Sequence, residues 1–109
     1  MSDVQIQVYN LIGSEYCTDI EDGQELYNYI YRVLSISKSI EVSFKNIEII
    51  TPSFLEVSIG QLYKYFTEDD IKSLMNISDI SDTDKLLISR AIDTTKEFYK
   101  NPEILNSSI

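Results

Sequence analysis

The sequence has no histidine and no tryptophan, one cysteine, two prolines and three glycines in 109 residues. Without histidine, the commonest general base and the commonest metal ligand are both missing. A serine or cysteine nucleophile would need activation without an imidazole partner. The single Cys17 excludes an intrachain disulfide, which fits a cytoplasmic location. Its neighbours Asp19, Glu21 and Asp22 would raise a thiol pKa, so Cys17 is expected to pack as a small hydrophobe. Gly13, Gly23 and Gly60 are scattered, and no lysine completes a phosphate-cradling loop around them. Long apolar runs are missing too: none could cross a bilayer, and Met1-Ser2-Asp3 opens the chain without a basic or apolar leader region. An enzyme, a cofactor or a bound metal is not expected.

What is present suits one small folded domain. A hydrophobic fraction of 43% and an aromatic fraction of 11% are enough to build a core at this length. Nine basic against 18 acidic side chains leave a net charge of −9, which repels phosphate backbones and anionic lipid surfaces. Nucleic acid and membrane are therefore disfavoured as partners. The one route back to nucleic-acid work is mimicry of its charge by carboxylates.

Strands and helices alternate along the chain. Val4, Ile6 and Val8 alternate with Gln5 and Gln7, the period of a strand with one buried face, and Tyr9 to Ile12 extend it up to Gly13. Thr18-Asp19-Ile20-Glu21 reads as a capping box for a helix running to about Ser37. Gly23, Leu26, Ile30, Val33 and Leu34 share one face of it, the glycine allowing close approach to the sheet. Ile40, Val42 and Phe44 form a second strand that Asn46 interrupts. Ile47 to Ile50 continue it or form a neighbouring segment. Thr51-Pro52-Ser53 then opens a helix whose inner face carries Leu55, Ile59, Leu62 and Phe66, with Tyr63 and Tyr65 beside that stripe.

The last third repeats the logic. Thr67 to Asp70 open a short helix through Ile71 and Leu74, and Met75 and Ile77 mark a short strand. Ser81 to Asp84 cap a final helix with Leu87, Ile88, Ala91, Ile92, Thr95, Phe98 and Tyr99 facing inward, and Asn101-Pro102 stop it. The reading is one domain over residues 1–100, with a loose tail over 101–109. Its core should join Leu26, Ile30, Leu34, Val42, Phe44, Ile49, Leu55, Ile59, Leu62, Leu87, Ala91 and Phe98 around one sheet.

Val42-Ser43-Phe44, Ile49-Ile50-Thr51-Pro52-Ser53-Phe54-Leu55 and Ile59-Gly60-Gln61-Leu62-Tyr63 together resemble the bacterial STAS-like domains, relatives of the sulphate-transporter and anti-sigma-factor-antagonist fold. The resemblance covers about Val4 to Tyr99. With the order β-α-β-α-(α)-β-α read from the residues, it implies a STAS-like α/β fold: a small, mostly parallel or mixed sheet of about four strands, with helices mainly on one face. It also implies a non-enzymatic switch. Family members of the antagonist type bind an ATP-dependent kinase that is also an anti-sigma factor, and that kinase phosphorylates a serine at the start of the helix after the central strand. By position that serine is Ser53. Antagonists usually read Asp-Ser-Ser-Gly at this turn, whereas here it is Thr51-Pro52-Ser53-Phe54. The acidic residue and the glycine, which lets a partner approach the backbone closely, are both missing here, and Pro52 changes the surface a kinase would read.

The residues themselves offer Ser53 two roles. Ser53 to Glu56 form a capping box, which makes Ser53 the helix cap; in the other register Thr51 caps, Pro52 is the first helical residue and Ile50 staples against Leu55. A phosphate on Ser53 would meet free amides and the positive end of the helix dipole, and would repel a partner docked over the turn. Thr51, Pro52, Phe54 and Glu56 are the neighbouring candidate contacts, Phe54 because it lies off the apolar stripe. Tyr29 and Tyr65 are further candidates, as aromatic interface residues, while Tyr27 and Tyr31 are spaced to pack on each other. The acidic clusters Asp19–Asp22 and Glu68–Asp70 coincide with helix starts, where carboxylates are expected without any metal. Three functions remain open: a regulatory module that binds an anti-sigma-type ATPase or kinase, a constitutive adaptor subunit of a stress or defence complex with Ser53 only a cap, or a small enzyme without identifiable machinery. Homo-oligomerisation stays open as well.

Overall fold

The computed structural model describes residues 2–100. In chain order the elements are β1 (Val4–Gln7), α1 (Val8–Ile12), β2 (Tyr16–Cys17), α2 (Ile20–Ser35), β3 (Ile40–Ser43), β4 (Ile49–Ile50), α3 (Pro52–Ser58), a 3-10 helix (Gly60–Lys64), α4 (Glu68–Leu74), β5 (Met75–Ser78) and α5 (Asp82–Lys100). This is a small α/β fold in which every strand pair is parallel. The expected single sheet of about four strands is corrected to two: a three-stranded sheet in the order β1-β3-β5, and a separate ribbon of β2 and β4.

Register explains how the larger sheet sorts its faces. Ile40 pairs with Val4 and Met75, and Val42 with Ile6 and Ile77, so one face is an apolar row across three strands. Ile40 and Val42 at its centre are fully buried. The opposite face carries Gln5-Glu41-Asn76 and Gln7-Ser43-Ser78. There Ser78 Oγ donates to Glu41 Oε2 at 3.0 Å, and Ser43 Oγ donates to Asp79 Oδ2 at 2.6 Å. A one-residue slip would exchange the two faces, and that fixes the register.

Several boundaries differ from the expectation, each for a local reason. The first strand stops at Gln7 and does not extend to Ile12; Val8, Leu11 and Ile12 fall at the i, i+3, i+4 spacing of a helix, and Val8 is fully buried. That helix ends in a left-handed Gly13 at φ 71°, whose amide donates to the Tyr9 carbonyl at 2.9 Å. The cap of α2 is Asp19 and not Thr18: its Oδ1 accepts from the Glu21 amide at 2.9 Å. Asn46 does interrupt the chain after β3, turning it at φ 67° towards β4.

The expected long helix after Pro52 is broken. It ends at Ser58 and resumes as the 3-10 helix, yet Leu55, Ile59 and Leu62 all remain fully buried. Thr67 caps α4 through the Asp70 amide at 3.1 Å, and Ser81 Oγ accepts from the Asp84 amide at 3.1 Å to cap α5, as expected. The core unites Leu26, Ile30, Leu34, Val42, Phe44, Leu55, Ile59, Leu62 and Ala91, joined by Val8, Cys17, Ile50, Phe54 and Ile71. Ile49 is a correction: it is 50% exposed, and Ile50 takes the inward position. Leu87 is only partly buried, packed against the core. Phe98 is partly buried as well. Close approach at Gly23 is to α3 and not to the sheet, since an added Cβ there would stand 3.1 Å from the Phe54 carbonyl oxygen. The expected stop at Asn101-Pro102 and the tail beyond it lie outside the described residues. No helix among the described residues is long and apolar enough to cross a membrane.

Candidate functional site

The β2–β4 ribbon sets the geometry of the strand-to-helix turn. Tyr16 pairs with Ile49 and Cys17 with Ile50. Side chains alternate across a strand, so Cys17 and Ile50 point into the core while Tyr16 and Ile49 stand outside, 44% and 50% exposed. Burial pushes the Cys17 thiol up to about 12, with a smaller contribution from the Asp22 carboxylate. It is a core side chain held in its neutral form. The Tyr16 phenol is also raised, first by its hydrogen bond with Glu15 and then by the charges of Glu15 and Glu48.

Thr51 closes the ribbon and opens α3. Its amide donates to the Cys17 carbonyl at 3.0 Å, and its Oγ1 accepts from the Phe54 amide at 3.3 Å. Thr51 is therefore the cap, with Pro52 as the first helical residue. Of the two registers open to the sequence, this one leaves Ser53 inside the first turn without a capping duty. Ser53 is exposed, its Oγ 3.4 Å from Thr51 Oγ1. Two of the first-turn donors are already spoken for or absent: the Phe54 amide is taken by Thr51, and Pro52 has none. Few backbone donors remain to neutralise an added charge on Ser53.

The other candidates separate from one another. Phe54 is fully buried, so its expected exposure as a contact ring is corrected. Its ring packs under the turn, where a Cβ on Gly23 would meet Phe54 Cδ2 at 3.4 Å. Pro52 is exposed at the turn, and Glu56 is partly buried one helical turn further on. Tyr29 lies in the middle of α2 and packs partly buried against the core. Tyr65 is 54% exposed but follows the 3-10 helix, where it joins Tyr27, Tyr31 and Phe66 in an aromatic cluster with ring centres 5.4 to 6.5 Å apart. Tyr27 and Tyr31 do pack on each other, at 5.7 Å.

The ribbon that leads into Thr51, Pro52 and Ser53 exposes two residues that are not among the sequence candidates for contact, Tyr16 and Ile49. The signal for Tyr16 was weak, because a two-residue strand shows no period. Ile49 and Ile50 are both apolar, so the sequence does not show which of them faces outward. Among the described residues, no group of three or more carboxylate or thiol side chains is arranged to hold a metal ion.

No match to this chain is found among curated proteins or among solved structures. One family model does match, over residues 22–85, which is more than half of the chain and runs from the first turn of α2 into α5. That span contains β3, β4 and the Thr51–Phe54 turn that carried the resemblance in the sequence. The chain thus belongs to the family described as STAS-like domain of unknown function (DUF4325).

Proposed function

We propose that this chain is a non-enzymatic, cytoplasmic regulatory module that docks a protein partner on the end of the β2–β4 ribbon and the turn Thr51-Pro52-Ser53. By resemblance to the antagonists, the partner class is an ATPase or kinase of the anti-sigma type. Phosphorylation of Ser53 is the proposed release switch. The observation that carries the reading is an exposed Ser53 hydroxyl, relieved of capping by Thr51, in the turn at the end of a ribbon whose first pair, Tyr16–Ile49, is exposed and whose second, Cys17–Ile50, is buried. Tyrosine is enriched among the few residues that carry most of the binding energy at interfaces. A phosphate would add about −1.5 to −2 charges at pH 7 at this rim. With the first-turn donors largely used, that charge faces outward, so the switch acts by repelling the partner and needs no refolding.

The experiment is capture of partners from the native host, followed by incubation of the captured ATPase with the chain and ATP. The proposal expects phosphate on Ser53 in wild type and none in Ser53→Ala. A captured partner that binds stably and leaves Ser53 unmodified would instead indicate a constitutive adaptor subunit.

A further inference from the structure

Two surfaces of this chain are complementary in charge, and both expose apolar side chains. The first is the ribbon end, with Tyr16 and Ile49 side by side and the carboxylates of Glu15 and Glu48 around the Tyr16 phenol. A cleft of about 400 Å³ beside it is lined by Tyr9, Glu15, Asn46, Ile47 and Glu48, with no cationic side chain. The second is a groove of about 730 Å³ between the 3-10 helix and the end of α5. Phe66, Phe98 and Tyr99 give it apolar rings, and Lys64, Lys96 and Lys100 rim it. Tyr65 extends this surface, with Lys64 Nζ 5.5 Å from its ring centre.

Lys96 is committed to Glu68 at 2.7 Å, but among the described residues Lys64 and Lys100 form no ion pair. Glu68 lines the same groove and offsets Lys96, so the groove keeps an excess of two positive charges, from Lys64 and Lys100, on a protein whose net charge is −9. Such a groove fits an acidic surface with protruding apolar side chains. The chain carries such a surface itself.

We propose that the aromatic groove rimmed by Lys64, Lys96 and Lys100 receives the Tyr16–Ile49 ribbon end of a second copy of this chain. The two surfaces differ, so the contact is head-to-tail and propagates into rings or open chains. The net charge opposes the approach of two copies, but that repulsion is screened over about 8 Å at physiological salt, whereas lysine–carboxylate pairs act at contact. Association is therefore weak and concentration-dependent. It would cover the ribbon end assigned above to a partner, yet it stands on this complementarity alone and is tested without any partner.

The test is sedimentation velocity on the full chain over about two decades of concentration at about 0.15 M salt. Wild type should show a sedimentation coefficient that rises with concentration. Lys64→Glu with Lys100→Glu should weaken association by at least ~10-fold, and so should Glu15→Lys with Glu48→Lys. Combining all four reversals should restore it to within ~3-fold of wild type. Circular dichroism and thermal midpoints confirm that each variant is folded. A wild type that stays monomeric throughout overturns the proposal. So does association indifferent to the reversals, or a folded four-site variant that fails to recover it.

Discussion

Gly60 and Thr95 pack so closely that a Cβ on the glycine would stand 2.6 Å from both Cγ2 and Oγ1 of the threonine. This contact seats the 3-10 helix on α5. Thr95 cannot easily move aside, because it is buried and its Oγ1 donates to the Ala91 carbonyl at 2.9 Å. Gly60→Ala should therefore destabilise by about 1–3 kcal/mol through overpacking, read as a lower denaturation midpoint. Adding Thr95→Ala should recover most of that loss. Additive effects of the two changes would show that the contact is looser than described.

Capping assigns different outcomes to neighbouring hydroxyls. Thr51→Ala should cost about 1 kcal/mol, since Thr51 Oγ1 satisfies the Phe54 amide. Ser53→Ala should stay within about 0.5 kcal/mol, as for an exposed substitution. Chemical denaturation of the two variants side by side decides it, and the reverse order would place the cap on Ser53.

Ile30 is fully buried on α2 within the core that joins this helix to the sheet. Ile30→Ala should cost about 2–5 kcal/mol. An unchanged midpoint in urea would mean that α2 does not pack through this face.

Tyr27 gives a pH prediction. Burial, helped by the nearby Tyr65, Tyr31 and Tyr99, pushes its phenol up to about 12. In the unfolded chain it ionises near 10, so from about pH 10 to 12 the unfolded state releases a proton that the folded state keeps. Stability is intact below that window and falls as pH rises through it. Thermal midpoints of wild type should drop between pH 10 and 12, and Tyr27→Phe should flatten that drop. Parallel curves for the two proteins would contradict the assignment.

Much of the fold was legible because its strongest signals are periodic. The α2 stripe of Leu26, Ile30 and Leu34, the alternation of Ile40 and Val42, and the caps at Thr67 and Ser81 all follow from local spacing. Short elements were not legible. A two-residue strand such as Tyr16–Cys17 has no period of its own and exists because β4 pairs with it. The break at Ile59 was hidden for a different reason: Leu55, Ile59 and Leu62 keep helical spacing while the backbone tightens to let Gly60 meet Thr95.

The candidate site was half legible. Proline after threonine and before serine marked the turn, and Ser53 does lie exposed in it. Which hydroxyl caps depended on Thr51 bonding across to Cys17, a contact 34 residues distant in sequence. Phe54 sits off the α3 stripe but is covered by α2, where Gly23 lets the helices approach. One helix's pattern cannot reveal what a neighbouring helix will cover.

The measurement that tests the central claim most directly is calorimetric affinity of the captured partner for four folded proteins. These are wild type, Ser53→Ala, Ser53→Glu, and Tyr16→Ala combined with Ile49→Ala. The account predicts that Ser53→Ala binds like wild type. It predicts that Ser53→Glu and the double alanine variant each bind at least ~10-fold more weakly, about 1.4 kcal/mol, with thermal midpoints near wild type. Equal affinity across all four folded proteins would show that the partner does not dock on the ribbon end and its turn.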